Sequence, residues 1–332
     1  MSGAHMPEFG LIFVGGAPRS GTTLVQRILG AHSQIYAGPE FDLVPEIMRL
    51  RGRFQKELAA GRISVYLDEG GVNAAFEEFL ASIFRPKIQG TGKKFFSEKT
   101  PANLEVFPEL RECLPGARFI FVMRDPRAVV ASMLEVGRKY RRELRLGSVV
   151  GAARQTLRGD ASRQAAVFIP PAFTRSTRRA VEYINALWAQ GQAARGANVL
   201  VVYYEDLVTR PEQSIRTLMD FLGLPFEDGL LHIQEKQIDM PDFKSGEQFW
   251  YTKEQLQTPI ETDRLDKWRQ TLTGYDLYVI SRHLTPIPGL TDRYDLHSGW
   301  RPDWAFADLW GAWFANLRSV LNRLFAALAK TL

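Results

Sequence analysis

A stretch near the amino terminus narrows the folds open to this chain more than any other part of it. Leu11 to Val14 is a short apolar run, and Gly15-Gly-Ala-Pro-Arg-Ser-Gly-Thr-Thr23 follows. From Thr22 to Ala31 the apolar residues Leu24, Ile28 and Leu29 keep helical spacing. That order reads as a buried strand feeding a helix across a tight glycine-rich loop. Unpaired backbone N–H groups and the positive end of the helix dipole then make the loop a place to hold an anion. Gly21 allows close approach of a phosphate, and the Thr22 and Thr23 hydroxyls add donors.

The alternation continues down the chain. Further strands are expected at Phe95-Phe96, Arg118–Met123 and Asn198–Tyr204. Helices are expected over most of 40–85, interrupted near Gly61 and Gly70-Gly71, and over 127–137, 178–191 and 214–222. Strands and helices at this spacing imply an α/β fold, a parallel sheet flanked by helices on both faces. The 332 residues are 45% apolar and 24% charged, which excludes a disordered chain or a disulfide miniprotein. A single cysteine, Cys113, forms no internal disulfide and points to a reducing compartment.

Residues 1–6 read as a cloning remnant, 7–300 as one domain and 301–332 as a tail. In the tail, Trp313, Phe314, Leu317, Val320, Leu321, Leu324, Phe325 and Leu328 share one side of a helix over 310–328. Such an amphipathic helix docks on a core, on a second copy as a homodimer, or peripherally on a membrane surface. Between Arg138 and Ala180 there are eleven Lys or Arg and two acids, a net +9 in a chain whose total is +5. This basic helical segment is either a solvated face or a receiver of anionic partners. It has few interleaved aromatics, so no nucleic acid is expected. No apolar stretch reaches the roughly 20 residues that span a bilayer.

Gly16-x4-Gly21 fits a Walker A loop, yet Thr22 stands where the lysine belongs and the cation lies earlier, at Arg19. That departure weighs against an ATP-dependent kinase, which needs lysine beside the transferred group. Pro18-Arg-Ser-Gly-Thr-Thr23 instead resembles the 5′-phosphosulfate loop of sulfotransferases that use 3′-phosphoadenosine 5′-phosphosulfate (PAPS). The stretch from Phe13 to Pro45 is similar to the tyrosylprotein sulfotransferase branch and its bacterial relatives, with a loop, a helix, Ala31-His32 and a Gly38-Pro-Glu segment in that order. The order of motifs extends the resemblance over residues 11–285.

The resemblance implies a P-loop-like sheet, PAPS as donor and adenosine 3′,5′-bisphosphate as product. Arg19, Ser20, Gly21, Thr22 and Thr23 would hold the 5′-phosphate and sulfonate. The strand followed by Arg124-Asp-Pro-Arg, with Ser132 eight residues after the first arginine, resembles the 3′-phosphate element. Read without the family, an Arg-Asp pair there is an ordinary ion pair. Tyr204, in Tyr203-Tyr-Glu-Asp-Leu, would sit by the adenine; the alternative is a buried strand tyrosine. A third cofactor loop is expected over 245–267, before Trp268, with no residue assigned.

Sulfuryl transfer is an in-line displacement that needs a base for the acceptor proton and cations for the developing charge. Glu40 takes the place of the branch's second glutamate and is the expected base, with a helix N-terminal acid as its alternative role. Lys99, in Ser97-Glu-Lys-Thr-Pro101, would stabilise the transferring group together with Arg19, and no metal is required. The acceptor is expected to be a hydroxyl: tyrosine in an acidic peptide, or a glycan, lipid or small-molecule alcohol. The competing readings are a P-loop kinase using ATP, or a non-enzymatic anion-, nucleic-acid- or membrane-binding module. One cysteine and no apparent anchor suggest a bacterial cytoplasmic protein, or a Golgi-lumenal one had an upstream anchor been removed.

Overall fold

A computed structural model describes residues 9–139, 176–235 and 258–296. Five parallel strands form one sheet of order β2-β3-β1-β4-β5. They are β1 (Gly10–Gly16), β2 (Ile35–Ala37), β3 (Phe95–Lys99), β4 (Arg118–Met123) and β5 (Val199–Tyr203). The central pair β1 and β4 is almost wholly apolar because both faces are covered, as a parallel sheet requires, whereas β3 carries Ser97, Glu98 and Lys99 toward its carboxyl end. Phe13, Phe119 and Phe121 point to one side, and Ile12, Val14, Ile120 and Val122 to the other.

Among the described residues, eight α-helices lie in chain order from β1 to the segment after β5, and two more follow at Trp268–Thr271 and Gly274–His283. The eight are α1 (Thr22–Ala31), α2 (Val44–Ala59), α3 (Glu69–Ile88), α4 (Phe107–Cys113), α5 (126–139), α6 (Thr177–Ala193), α7 (Tyr204–Thr209) and α8 (Pro211–Leu222). Val25, Ile28 and Leu29 of α1 and Ile215, Leu218 and Met219 of α8 close over the Ile12 side. Met48, Leu80, Leu110, Met133 and Trp188, from α2 to α6, cover the Phe13 side. The α/β parallel-sheet expectation holds.

Two expected details change. β2 was not anticipated: three residues at a sheet edge carry too short a pattern to stand out. The strand expected to run to Tyr204 stops at Tyr203, and Tyr204 opens α7. The alternative of a buried strand tyrosine is thereby corrected. The 310–328 helix, residues 140–175 of the basic segment and residues 245–257 of the third loop lie outside the described residues.

Register decides where the site can be. Val14 lies opposite Lys99, Gly16 opposite Val122, and Met123 opposite Tyr203. The carboxyl ends of β1, β3, β4 and β5 therefore finish close to one level. The chain leaves β1 toward β2 and leaves β4 toward β5, so the crevice between β1 and β4 is the point where the winding reverses. Open α/β sheets bind ligands at that point.

Close packing of α6 on the sheet is also legible at one residue. A Cβ at Gly191 would stand 2.6 Å from the ring of Phe121. Gly191→Ala is expected to lower unfolding free energy by about 1–3 kcal/mol, read by urea denaturation, since the crowded Phe121 ring has little room to give.

Candidate active site

The β1–α1 loop is built from one tight turn and one glycine. Ser20 N–H donates to the Ala17 carbonyl at 2.9 Å, Pro18 takes the second position, and Arg19 has φ of 75°. This is the pattern of a type II turn, which prefers glycine where Arg19 stands. An arginine held in the left-handed region is a strained residue of the kind that collects at functional sites. Gly21 (φ 102°) caps α1 without any side-chain hydrogen bond, and a Cβ there would meet the Tyr204 ring at 2.5 Å. Buried Ser20 has a hydroxyl with no hydrogen-bond partner among the described residues. Thr22 and Thr23 begin the helix.

One residue past β4, the Arg-Asp-Pro-Arg stretch resolves into two separate jobs. Asp125 pairs with Arg127 and not with Arg124 (2.7 Å between Arg127 Nη2 and Asp125 Oδ2), so the alternative reading, an ordinary Arg124–Asp125 ion pair, does not hold. Arg127 also packs over the Trp268 ring, 4.3 Å from its centroid. Arg124 turns the other way. Its Nη1 donates to the Arg19 carbonyl at 3.2 Å, its Nη2 to the Arg264 carbonyl at 2.8 Å, and its guanidinium lies 4.1 Å from the Tyr204 ring centroid. Its Nε is buried without a partner among the described residues. Ser132, on α5, accepts a hydrogen bond from Arg19 Nε at 3.0 Å.

The Tyr-Glu-Asp segment serves both neighbours. Tyr204 forms the face against Gly21 and Arg124, while Glu205 accepts from Asp125 N–H at 2.8 Å and from the Tyr294 hydroxyl at 3.0 Å. Asp206 accepts from Arg293 and Arg210. The Asp125–Glu205 bond fixes the segment after β4 against the first turn of α7.

Electrostatics in the crevice run one way. Burial holds the Arg19 guanidinium below its ordinary pKa, and the charges of Arg124 and Arg264 push the same way. Arg124 is lowered by burial first, partly offset by Tyr204, Glu205 and Asp125. Arginines do not lose their protons here. Crowding buried cations without enough anions leaves a site that an incoming anion would relieve.

On the β3 side, Lys99 ends the strand and pairs with Glu40 through Oε1, and its Nζ also reaches Thr23 Oγ1 at 3.4 Å. Glu40 lies in the turn before α2, whose cap is Leu43. The alternative of a helix N-terminal acid therefore gives way to an ion pair at the edge of the crevice. Gln26 of α1 holds this turn by donating to the carbonyls of Gly38 (2.7 Å) and Ser97 (3.0 Å). All ten residues expected at the site thus lie around the ends of β1, β3, β4 and β5.

Other residues emerge only from the structure. Arg264 adds positive charge beside Arg19, Arg124 and Tyr204. It lies within the expected third loop, whose weak pattern singled out no residue. Buried Glu98 accepts from Phe41 N–H at 3.1 Å, Thr100 Oγ1 at 2.7 Å and Asn103 Nδ2. Burial pushes its carboxyl up to about 7 against the pull of those donors and of Lys99. Of the described histidines, buried His32 points its Nε2 at the Pro225 carbonyl, 3.0 Å away. No group of His, Cys, Asp and Glu suited to a metal occurs among the described residues.

Residues 12–228 match the model of the sulfotransferase family. The chain is 29% identical to Protein-tyrosine sulfotransferase 2 of Gallus gallus over 85% of its own length and 69% of that protein. It is 27% identical to Protein-tyrosine sulfotransferase of Drosophila melanogaster over 91% of its length but only 55% of that protein. A solved structure, the sulfotransferase domain from the Curacin biosynthetic pathway, covers 88% of this chain and is itself covered over 98%, with a TM-score of 0.44 at 18% identity. With the loop, the crevice and the family match in hand, the chain belongs to the sulfotransferase family, transferases that move a sulfuryl group.

The Asp206 contact gives a pH test. Hydrogen bonds from Arg293 first, then from Arg210, hold its carboxyl down at about 2, against burial. A carboxyl depressed on folding stabilises above its unfolded pKa, near 4, and that contribution disappears as pH falls toward 2. In acid unfolding followed by circular dichroism, Asp206→Asn should lose stability at neutral pH and show a shallower fall between pH 4 and 2 than the parent.

Proposed function

We propose that this chain transfers the sulfuryl group of PAPS to an acceptor hydroxyl, releasing adenosine 3′,5′-bisphosphate. One observation carries the reading. The loop after β1 and the arginine after β4 are fastened into a single cationic site, through Arg19 to Ser132 and Arg124 to the Arg19 carbonyl. A nucleotide with anionic groups at both ends suits such a site better than one with a single phosphate chain.

The residues fit that donor in their chemistry. The Ser20 hydroxyl and Arg124 Nε are buried donors without a partner among the described residues, and the lack of a side chain at Gly21 lets the Tyr204 ring pack against the loop. Ser20, Gly21, Thr22 and Thr23 would hold the 5′ end, Arg124 and Ser132 the 3′-phosphate, and Tyr204 the adenine. When bound, PAPS supplies the sulfuryl group and a stable bisphosphate leaving group. Arg19 and Lys99 hold positive charge at the end of the loop where negative charge grows, as in other preorganised sites. These side chains do the electrostatic work without a metal.

Glu40 is the base. Its Oε1 is held by Lys99, which orients the carboxylate and leaves Oε2 to take the acceptor proton. Only a partly open turn separates Glu40 from solvent, at 17% side-chain exposure, so an acceptor hydroxyl has a way in. The named activity of the chicken and fly relatives favours a tyrosine hydroxyl, and a +9 segment would receive acids flanking that tyrosine. A glycan, lipid or small-molecule alcohol is the acceptor class to compare. We place the reaction in a bacterial cytoplasm, in keeping with the lone, buried Cys113.

The test is incubation with PAPS and a synthetic peptide bearing tyrosine between Asp and Glu, read by mass spectrometry as addition of one sulfonate. Glu40→Gln should lower turnover by about 10²- to 10⁴-fold while leaving bisphosphate affinity unchanged. Normal turnover by Glu40→Gln would remove Glu40 as the base. A silent peptide beside a modified glycan or lipid alcohol would change the acceptor.

A further inference from the structure

The base sits on a turn, and turns at the mouth of a site are mobile unless something holds them. The turn carrying Glu40 departs from ordinary backbone: Asp42, two residues on, has φ of 60°. Pro39 precedes the base and Gln26 holds the Gly38 carbonyl, but the two residues after the base lie beyond both, and Leu43 caps α2 without a side-chain hydrogen bond. The amides of those two residues, Phe41 and Asp42, are held by a buried polar chain from the end of β3.

Phe41 N–H donates to Glu98 Oε1 at 3.1 Å. Asp42 N–H donates to Thr100 Oγ1 at 3.1 Å, and the same hydroxyl donates on to Glu98 Oε1 at 2.7 Å. Asn103 Nδ2 reaches the other carboxylate oxygen and also the Val14 carbonyl at 3.3 Å, which anchors the chain to the central strand. Glu98, Thr100 and Asn103 are all 2% exposed or less. Two consecutive amides after the base are thus held by one side chain and its relay. The strand that carries Glu98 also carries Lys99, so both ends of the Lys99–Glu40 pair take their position from residues 98–100.

We infer that Glu98, through Thr100, is a positioning residue that holds the Glu40 turn in the geometry for proton abstraction; this rests on Glu40 acting as proposed above. Glu98 is buried, at 1% exposure, with its carboxylate turned to these donors. A carboxyl suits the position because three donors converge on its two oxygens and none of them can be turned away cheaply. A misplacement of about 1 Å at a reacting group is enough to lower turnover by about 10²-fold.

Hydrogen exchange resolved at single amides, on the full chain, separates this from a merely structural role. In Glu98→Ala the Phe41 amide should exchange about tenfold faster or more, and in Thr100→Val the Asp42 amide likewise, with β4 amides unchanged. Glu98→Gln keeps a carbonyl oxygen for Phe41 and Thr100 and should restore most of the protection. With PAPS and the acidic tyrosine peptide, kcat should fall about 10- to 100-fold in Glu98→Ala and less in Glu98→Gln, while KM for PAPS and affinity for adenosine 3′,5′-bisphosphate stay within about threefold. Thr100→Val provides the comparison if Glu98→Ala does not fold. Unchanged exchange at both amides, or full turnover with exchange increased, overturns the inference while leaving the donor reading intact. Failure of the wild-type chain to bind the bisphosphate overturns the donor reading, and with it the catalytic meaning of this network.

Discussion

Parallel strands buried between two helix layers must all send their next segment out of the same edge. In this chain that edge is where β1, β3, β4 and β5 stop almost level, and each releases one group as it ends: the glycine-rich loop, Lys99, Arg124 and Tyr204. Side chains from residues as distant as 19 and 204 meet there because register, and no local sequence feature, brings them together. The helices matter to function mainly by covering both faces, so that these ends are the unspent polar surface of the sheet.

Charge is the second constraint. Arg19 and Arg124 crowd a buried crevice, with the partly exposed Arg264 beside them, and the neighbouring acids are largely committed elsewhere. Asp125 is taken by Arg127, Glu205 by the Asp125 amide and Tyr294, and Glu40 by Lys99. Separating Asp125 from Arg124 leaves Arg124 directed at the loop through the Arg19 carbonyl. The strained backbone of Arg19 belongs to the same design: a left-handed residue places its guanidinium toward Ser132 across the crevice. Desolvated cations held in this way are costly without an anion and effective with one.

Much of this was legible in the sequence, for identifiable reasons. The strands Leu11–Val14 and Arg118–Met123 are almost continuous apolar runs, and glycines and prolines punctuate the loops, so the α/β class and the glycine-rich loop after β1 could be read directly, whereas the Arg124 stretch taken alone read as an ordinary ion pair. Pairing those loops across about a hundred residues needed the family resemblance, since spacing alone does not bring Arg19 to Ser132. Edge strand β2 was too short to show a period. The end of β5 was misplaced by one residue because Tyr204 continues an apolar run into a helix. The Glu98–Thr100–Asn103 network left no signal in the sequence: its partners are backbone amides of a turn some sixty residues earlier, and backbone groups have no letter in a sequence.

The central claim is that the crevice recognises a nucleotide by phosphates at two separate positions. The most direct measurement is calorimetric titration of the whole chain with adenosine 3′,5′-bisphosphate in the absence of magnesium, beside the same titration with ADP. The account predicts saturable binding of the bisphosphate, with ADP at least about tenfold weaker, a difference of about 1.4 kcal/mol. Equal affinity for the two, or binding of ADP only when magnesium is added, would contradict it and point to a kinase-like site.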